Sequence, residues 1–157
     1  MVRKETKRPV KEQMNIIKQT SPNFDERTLP VSLLVLHYTG MESGEAALER
    51  LCEGESKVSA HYLVEEDGRI FQLVDEDKRA WHAGLSEWRG ESNINSASIG
   101  IEIVNGGHNV PFADDSLPPF PDAQINAVIA LCQDIMTRRN IGALSILGHS
   151  DVAPARK

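Results

Sequence analysis

Apolar and polar positions alternate in blocks of strand length, and two of the apolar blocks run directly into histidine. Val31-Ser32-Leu33-Leu34-Val35-Leu36 leads to His37, and Leu144-Ser145-Ile146-Leu147-Gly148 leads to His149. Their length and aliphatic content predict buried strands at 31–37 and 144–148. A third run, Ser98-Ile99-Gly100-Ile101-Glu102-Ile103-Val104, predicts a strand with Ile99, Ile101 and Ile103 on one face and Glu102 on the other. Ala60–Val64 and Arg69–Val74 flank Asp67-Gly68, a dipeptide that favours positive φ and a tight hairpin turn. Ser43 is placed to cap a helix reaching about Cys52. The clearest helix is Asp122–Arg139, where Ile125, Val128, Ile129, Cys132, Ile135 and Met136 recur at helical spacing and Arg138 and Arg139 suit the C-terminal end. Residues 81–97 and the proline-marked stretch from Pro111 to Pro121 read as loops.

Interleaved strands and helices with one hairpin predict an α/β fold: a single domain with a mixed sheet flanked by helices on both faces. A length of 157 residues suits one domain, and 40% hydrophobic with 25% charged residues is a globular balance. The formal charge of -6 argues against nucleic-acid binding, which draws on clustered Lys and Arg. No apolar stretch is long enough to span a membrane. Arg3, Lys4, Lys7, Arg8 and Lys11 make residues 1–20 a basic N-terminal arm, expected to be solvated and partly mobile, before a domain at 21–157. No apolar core of a signal peptide follows those charges, which points to the cytoplasm; a periplasmic location requires a signal already removed. Cys52 and Cys132 sit in helical apolar patterns and read as small hydrophobes.

Two imidazoles at strand ends and a carboxylate inside a strand suggest a metal hydrolase. If the strands ending in His37 and His149 are parallel neighbours, their rings converge at one sheet edge, where α/β sites form. Zinc accepts imidazole nitrogen, and a catalytic site uses three protein ligands and a water. Spacing alone does not distinguish this from two unrelated histidines. Glu102 is either a functional carboxylate in a central strand or a solvent-facing residue of an edge strand; a nearby metal would make it a proton acceptor and donor. His61 reads as a packed, hydrogen-bonded histidine, and His82, in the Trp81-His82-Ala83-Gly84 loop, as a candidate for substrate contact. No G-x-S-x-G, phosphate loop, dinucleotide fingerprint or H-E-x-x-H occurs, so a metal-activated water is a better nucleophile candidate than any side chain.

Five stretches in order extend the argument: Leu36-His37-Tyr38-Thr39, Val58–Val64, Ala80–Gly84, Ser98–Glu102 and Gly148–Lys157. Across residues 20–157 the chain resembles the type 2 N-acetylmuramoyl-L-alanine amidases, whose fold is shared by peptidoglycan recognition proteins. The resemblance implies a zinc enzyme that cleaves the amide between N-acetylmuramic acid, or its 1,6-anhydro form, and L-alanine of the stem peptide. It implies His37 and His149 as zinc ligands, Glu102 as catalytic carboxylate, Lys157 as the cation facing the oxyanion, and Trp81 and His82 as substrate wall. In similar enzymes the third ligand is an aspartate shortly after that lysine, and nothing follows Lys157 here. A non-catalytic muropeptide- or peptidoglycan-binding module is therefore the alternative. The expected partners are muropeptides or peptidoglycan, and the expected state is a monomer.

Overall fold

A computed structural model describes residues 14–156. Among the described residues six strands form one sheet, in the order β1 (Ile16–Lys18), β5 (Ile70–Gln72), β4 (Tyr62–Val64), β7 (Ser98–Ile103), β3 (Leu33–Tyr38) and β8 (Ile146–Gly148), and two more, β2 (Phe24–Glu26) and β6 (Lys78–Ala80), form a small antiparallel ribbon. Strand β3 (Leu33–Tyr38) lies between β7 (Ser98–Ile103) and β8 (Ile146–Gly148), parallel to both. Strand β7 is also parallel to β4 (Tyr62–Val64), which makes it a central strand. The hairpin forms as expected, β4 pairing antiparallel with β5 (Ile70–Gln72) through a turn in which Gly68 has φ +89°.

Strand alternation sends side chains to two cores. On one face Leu34, Ile99, Ile101, Tyr62 and Val64 pack against Leu131, Cys132 and Ile135 of the long helix α3 (Asp122–Arg139). Full burial of each such aliphatic side chain contributes about 1.5–3 kcal/mol. On the other face Leu63 and Phe71 lie beneath Ala47 and Leu51 of α1 (Gly44–Cys52). Beside them Val35 and Leu147 meet Ile94 and Ala97 of the short α2 (Ile94–Ala97) and Val152 of α4 (His149–Val152). The sheet is thus covered on both faces, as its aliphatic strands require.

The capping predicted for α1 is present, the Ser43 hydroxyl accepting from the Ala46 N–H. The buried face of α3 is rotated from the predicted one. Ile125 and Ile129 are 42% and 49% exposed, whereas Gln124 is fully buried and its Nε2 donates to the carbonyls of Val64 and Val104. A polar residue that satisfies strand-end carbonyls takes a core position that hydrophobic spacing assigned to isoleucine. Residues 16–18, within the segment expected to be an arm, form the edge strand β1 (Ile16–Lys18), parallel to β5. The basic cluster at residues 3–11 lies outside the described residues, as does Lys157. Strands β2 (Phe24–Glu26) and β6 (Lys78–Ala80) lack a hydrophobic alternation that would have announced them. Both cysteines are free, Cys132 buried and Cys52 half-buried.

One polar network ties the loop before β6 to α3. The Glu76 carboxylate is 5% exposed and accepts from Tyr62 Oη at 2.7 Å, Arg138 Nη2 at 2.8 Å and Nη1 at 3.0 Å, and Arg139 Nε at 2.9 Å. Burial pushes its pKa up, but the donors from Arg138, Tyr62 and Arg139 outweigh this and hold it down at about 2.

Candidate active site

The parallel pairing of β3 with β7 and β8 assembles the site. His37 stands opposite Glu102 in the β3–β7 register, on the sheet face that also carries Gly100. Strand β8 ends at Gly148, opposite Leu36, and delivers His149 as the first residue of α4. The Gly148 N–H donates to the Asp151 carboxylate at 2.7 Å, so Asp151 closes this turn. The two predicted imidazoles meet: His37 Nδ1 and His149 Nδ1 are 2.8 Å apart, with ring planes at 83°. Two ring nitrogens from chain positions 112 residues apart therefore address one point.

His37 is 5% exposed, and its other nitrogen, Nε2, lies 2.9 Å from Nδ1 of His82. The backbone of that loop is fixed by Asn95, whose Oδ1 accepts from the N–H groups of His82 and Ala83 at 3.0 and 2.8 Å. His82 Nε2 in turn lies 3.1 Å from Ser98 Oγ. Burial pushes the His82 pKa well below the usual imidazole range, and the neighbouring His37 adds to the shift. His61 sits one strand further on, fully buried. Its Nδ1 accepts from the Gly100 N–H at 3.0 Å, which leaves Nε2 to donate to the Lys78 carbonyl at 2.9 Å. Burial lowers its pKa to about 4, so it is neutral near pH 7. His61 is thus the hydrogen-bonded core histidine that its strand position suggested.

A cavity of about 360 Å³ opens beside His82, lined by Glu102, Trp81, Met41, Asn109 and Arg50 among others. The structure therefore brings His37, His149, His82 and Glu102 together and places Trp81 on the cavity wall. The Trp81 indole N–H is buried and has no hydrogen-bond partner among the described residues. His82, expected to grip substrate, lines the cavity with both ring nitrogens directed at protein atoms. Lys157 lies outside the described residues.

The donor set suits a divalent ion of the zinc type: two imidazole nitrogens facing each other, a carboxylate on the adjoining strand and an adjacent cavity. Among the described residues no group of three or more His, Cys, Asp and Glu is arranged to hold a metal. Sequence reasoning did not find Ser98, Asn95 or Arg27 as parts of the setting. Arg27 donates to the carbonyls of Ser98 at 2.9 Å, Lys78 at 2.7 Å and Glu76 at 2.9 Å, clamping the segments on which the histidines depend. Gly100 was the available signal, because a glycine inside a strand marks close approach of another group.

Comparison with known proteins adds an independent line. A family model described as N-acetylmuramoyl-L-alanine amidase matches residues 27–157. The chain is 40% identical over 134 residues to the N-acetylmuramoyl-L-alanine amidase AmiD of Escherichia coli K12, covering 81% of this chain and 48% of AmiD. It therefore spans about half the length of that relative. It is 34% identical over 157 residues to the 1,6-anhydro-N-acetylmuramyl-L-alanine amidase AmpD of Haemophilus influenzae, covering 87% of this chain and 80% of AmpD. A crystal structure of an AmpD derivative superposes with TM-score 0.77 at 31% identity, covering 94% of this chain and 88% of that one. The complex of E. coli AmiD with the substrate anhydro-N-acetylmuramic acid-L-Ala-D-γ-Glu-L-Lys matches with TM-score 0.72 at 35% identity, covering 86% of this chain and 60% of that one.

Proposed function

Because the chain belongs to the N-acetylmuramoyl-L-alanine amidase family, we propose that it is a zinc-dependent hydrolase of the amide joining N-acetylmuramic acid, or its 1,6-anhydro form, to L-alanine of the stem peptide. The observation that carries this reading is the meeting of His37 Nδ1 and His149 Nδ1, with Glu102 opposite His37 in the strand register and lining a cavity with His82 and Trp81. Those two nitrogens would hold the zinc, which supplies Lewis acidity toward the amide carbonyl and toward water.

Glu102 is the proton carrier. It projects from a central strand on the same face as His37, so the backbone that carries it is fixed relative to that of His37 by strand pairing. It takes a proton as water attacks the amide carbon and returns it to the departing L-alanine nitrogen. Lys157 would stabilise the oxyanion, a role that rests on the resemblance of the final segment. Trp81 forms part of the wall against which the muropeptide rests.

The test is release of free stem peptide, followed by mass spectrometry, from an anhydro-muropeptide and from intact cell wall, with added zinc and with chelator. Zinc-dependent release is expected, and Glu102→Ala should abolish it while leaving the fold and bound metal unchanged. Release by Glu102→Ala at the wild-type rate would remove that carboxylate from the mechanism. Retention of muropeptide without cleavage under every condition would establish the binding-module alternative, which draws on the lack of a three-ligand group among the described residues.

A further inference from the structure

Three groups behind the paired imidazoles form a chain with His37 whose hydrogens, with both rings neutral, can be placed in only one way. Ser98 Oγ lies 2.6 Å from the Ile94 carbonyl and 3.1 Å from His82 Nε2, and Ser98 is fully buried. A carbonyl only accepts, so the single hydroxyl hydrogen points to Ile94 and the Ser98 oxygen must accept from His82. His82 Nε2 then carries its hydrogen, and in the neutral ring Nδ1 is left as an acceptor. That acceptor is 2.9 Å from His37 Nε2, which must therefore be the donor. The hydrogen of neutral His37 is held on Nε2, and its Nδ1 lone pair faces His149.

We propose that Ser98 and His82 are positioning residues that lock His37 in the Nε2–H tautomer and so present its Nδ1 lone pair to a metal. The proposal deepens the reading of His37 as a zinc ligand and rests on it. An imidazole free to exchange tautomers would offer N–H in place of the lone pair for part of the time, and orientation by an outer hydrogen bond is how proteins prevent this. The polarity of the relay is set by a backbone carbonyl that cannot titrate or flip. Its geometry depends on Gly100: a Cβ built there would lie 2.6 Å from both Cδ2 and Nδ1 of His82, so only a residue without a side chain lets the ring lie across β7. The Asn95 clamp on the backbone of residues 82 and 83 holds the ring from the other end.

The experiment has two readouts. Long-range ¹H–¹⁵N spectra of the metal-free wild-type chain, with histidine labelled, report which ring nitrogen of His37 and His82 carries hydrogen. Zinc affinity, measured by competition with a chromophoric chelator, reports the consequence. The expected spectrum has His37 and His82 protonated on Nε2. Ser98→Ala and His82→Leu should each lower zinc affinity about 10–100-fold. His82→Asn, whose carbonyl oxygen replaces Nδ1 as acceptor, should stay within a few-fold of wild type, a rescue that loss of packing alone would not give. Hydrogen on Nδ1 of His37 in the wild type, or unchanged affinity in both Ser98→Ala and His82→Leu, would overturn the proposal. If the wild-type chain takes up no zinc, the ligand reading fails, whereas the spectrum still decides the tautomer.

Discussion

Replacing Glu76 by glutamine removes a buried negative charge that faces two arginines and a tyrosine across the junction of α3 with the sheet. Tyr62 Oη, both terminal nitrogens of Arg138 and Nε of Arg139 all donate to its two oxygens within 3.0 Å. Glutamine keeps one acceptor and turns an N–H₂ group toward the guanidinium groups, leaving cations without their counter-charge. Breaking a fully buried pair costs about 3–5 kcal/mol. Because the Arg138 and Arg139 side chains are 44% and 29% exposed and can rehydrate, the lower end, about 3 kcal/mol, is expected. For a domain of this size that is a fall in Tm of about 6–12 °C. The pH dependence separates charge from packing. Glu76 titrates at about 2 in the folded chain against an ordinary 4.5. Its charge therefore adds stability above pH 4.5 that is lost as pH falls toward 2. After allowance for solvent at the arginines, this part is about 2 kcal/mol. Urea unfolding followed by far-UV circular dichroism, at pH 7 and at steps down to pH 2, should show the gap between wild type and Glu76→Gln shrinking from about 3 to about 1 kcal/mol. A gap under about 1 kcal/mol at pH 7, or one that stays constant down to pH 2, would refute the reasoning.

Other outcomes follow from the same geometry. His61 is fully buried with its pKa at about 4 against an ordinary 6.5, so the unfolded chain takes up a proton that the folded chain refuses. Stability should therefore fall by about 3 kcal/mol between pH 6.5 and 4 from this group, and His61→Asn should flatten that part of the urea profile. Gly68 has φ +89°, and a Cβ there would lie 2.9 Å from the Ala123 carbonyl oxygen. Gly68→Ala should lower unfolding free energy by about 1–3 kcal/mol in a denaturant titration, and a neutral result would mean that the hairpin turn relaxes freely. Gly100→Ala should leave a folded chain with zinc affinity reduced about tenfold or more, because the His82 ring must retreat from β7; wild-type affinity would show that the ring has room elsewhere.

The parts of this molecule that the sequence made legible are those governed by local pattern. Aliphatic runs of strand length marked β3 and β7, Asp67-Gly68 marked the hairpin, and Asp122 and Arg139 bounded α3; the run expected as a strand from residue 144 pairs only from Ile146, because Ala143–Ser145 form a 3-10 turn that leaves Leu144 exposed. The condition attached to the two histidines, that their strands be parallel neighbours, holds. The elements that escaped owe their form to distant partners. Strand β1 exists because β5 offers it an edge, and β2 and β6 pair through backbone groups with polar side chains outward. Gln124 displaces isoleucine from the buried face of α3 because two strand-end carbonyls need donors, a requirement invisible to any count of apolar spacing. In the site, His37, His149 and Glu102 stood out by type and position. The role of Ser98 as an acceptor behind His82 depends on a carbonyl four residues away, which no residue pattern marks, and on the bare backbone of Gly100, which signals a close approach without saying what approaches.

His37 and His149, 112 positions apart in the chain, come together when β8 is laid against β3. Closing so long a segment is among the slower events available to a folding domain. On the ribosome, β3 and β7 are made well before β8, so a nascent sheet can collapse around its aliphatic core while the first imidazole still awaits the second. Capture of a metal by both rings would then be a late event, and its onset during refolding would time the docking of β8.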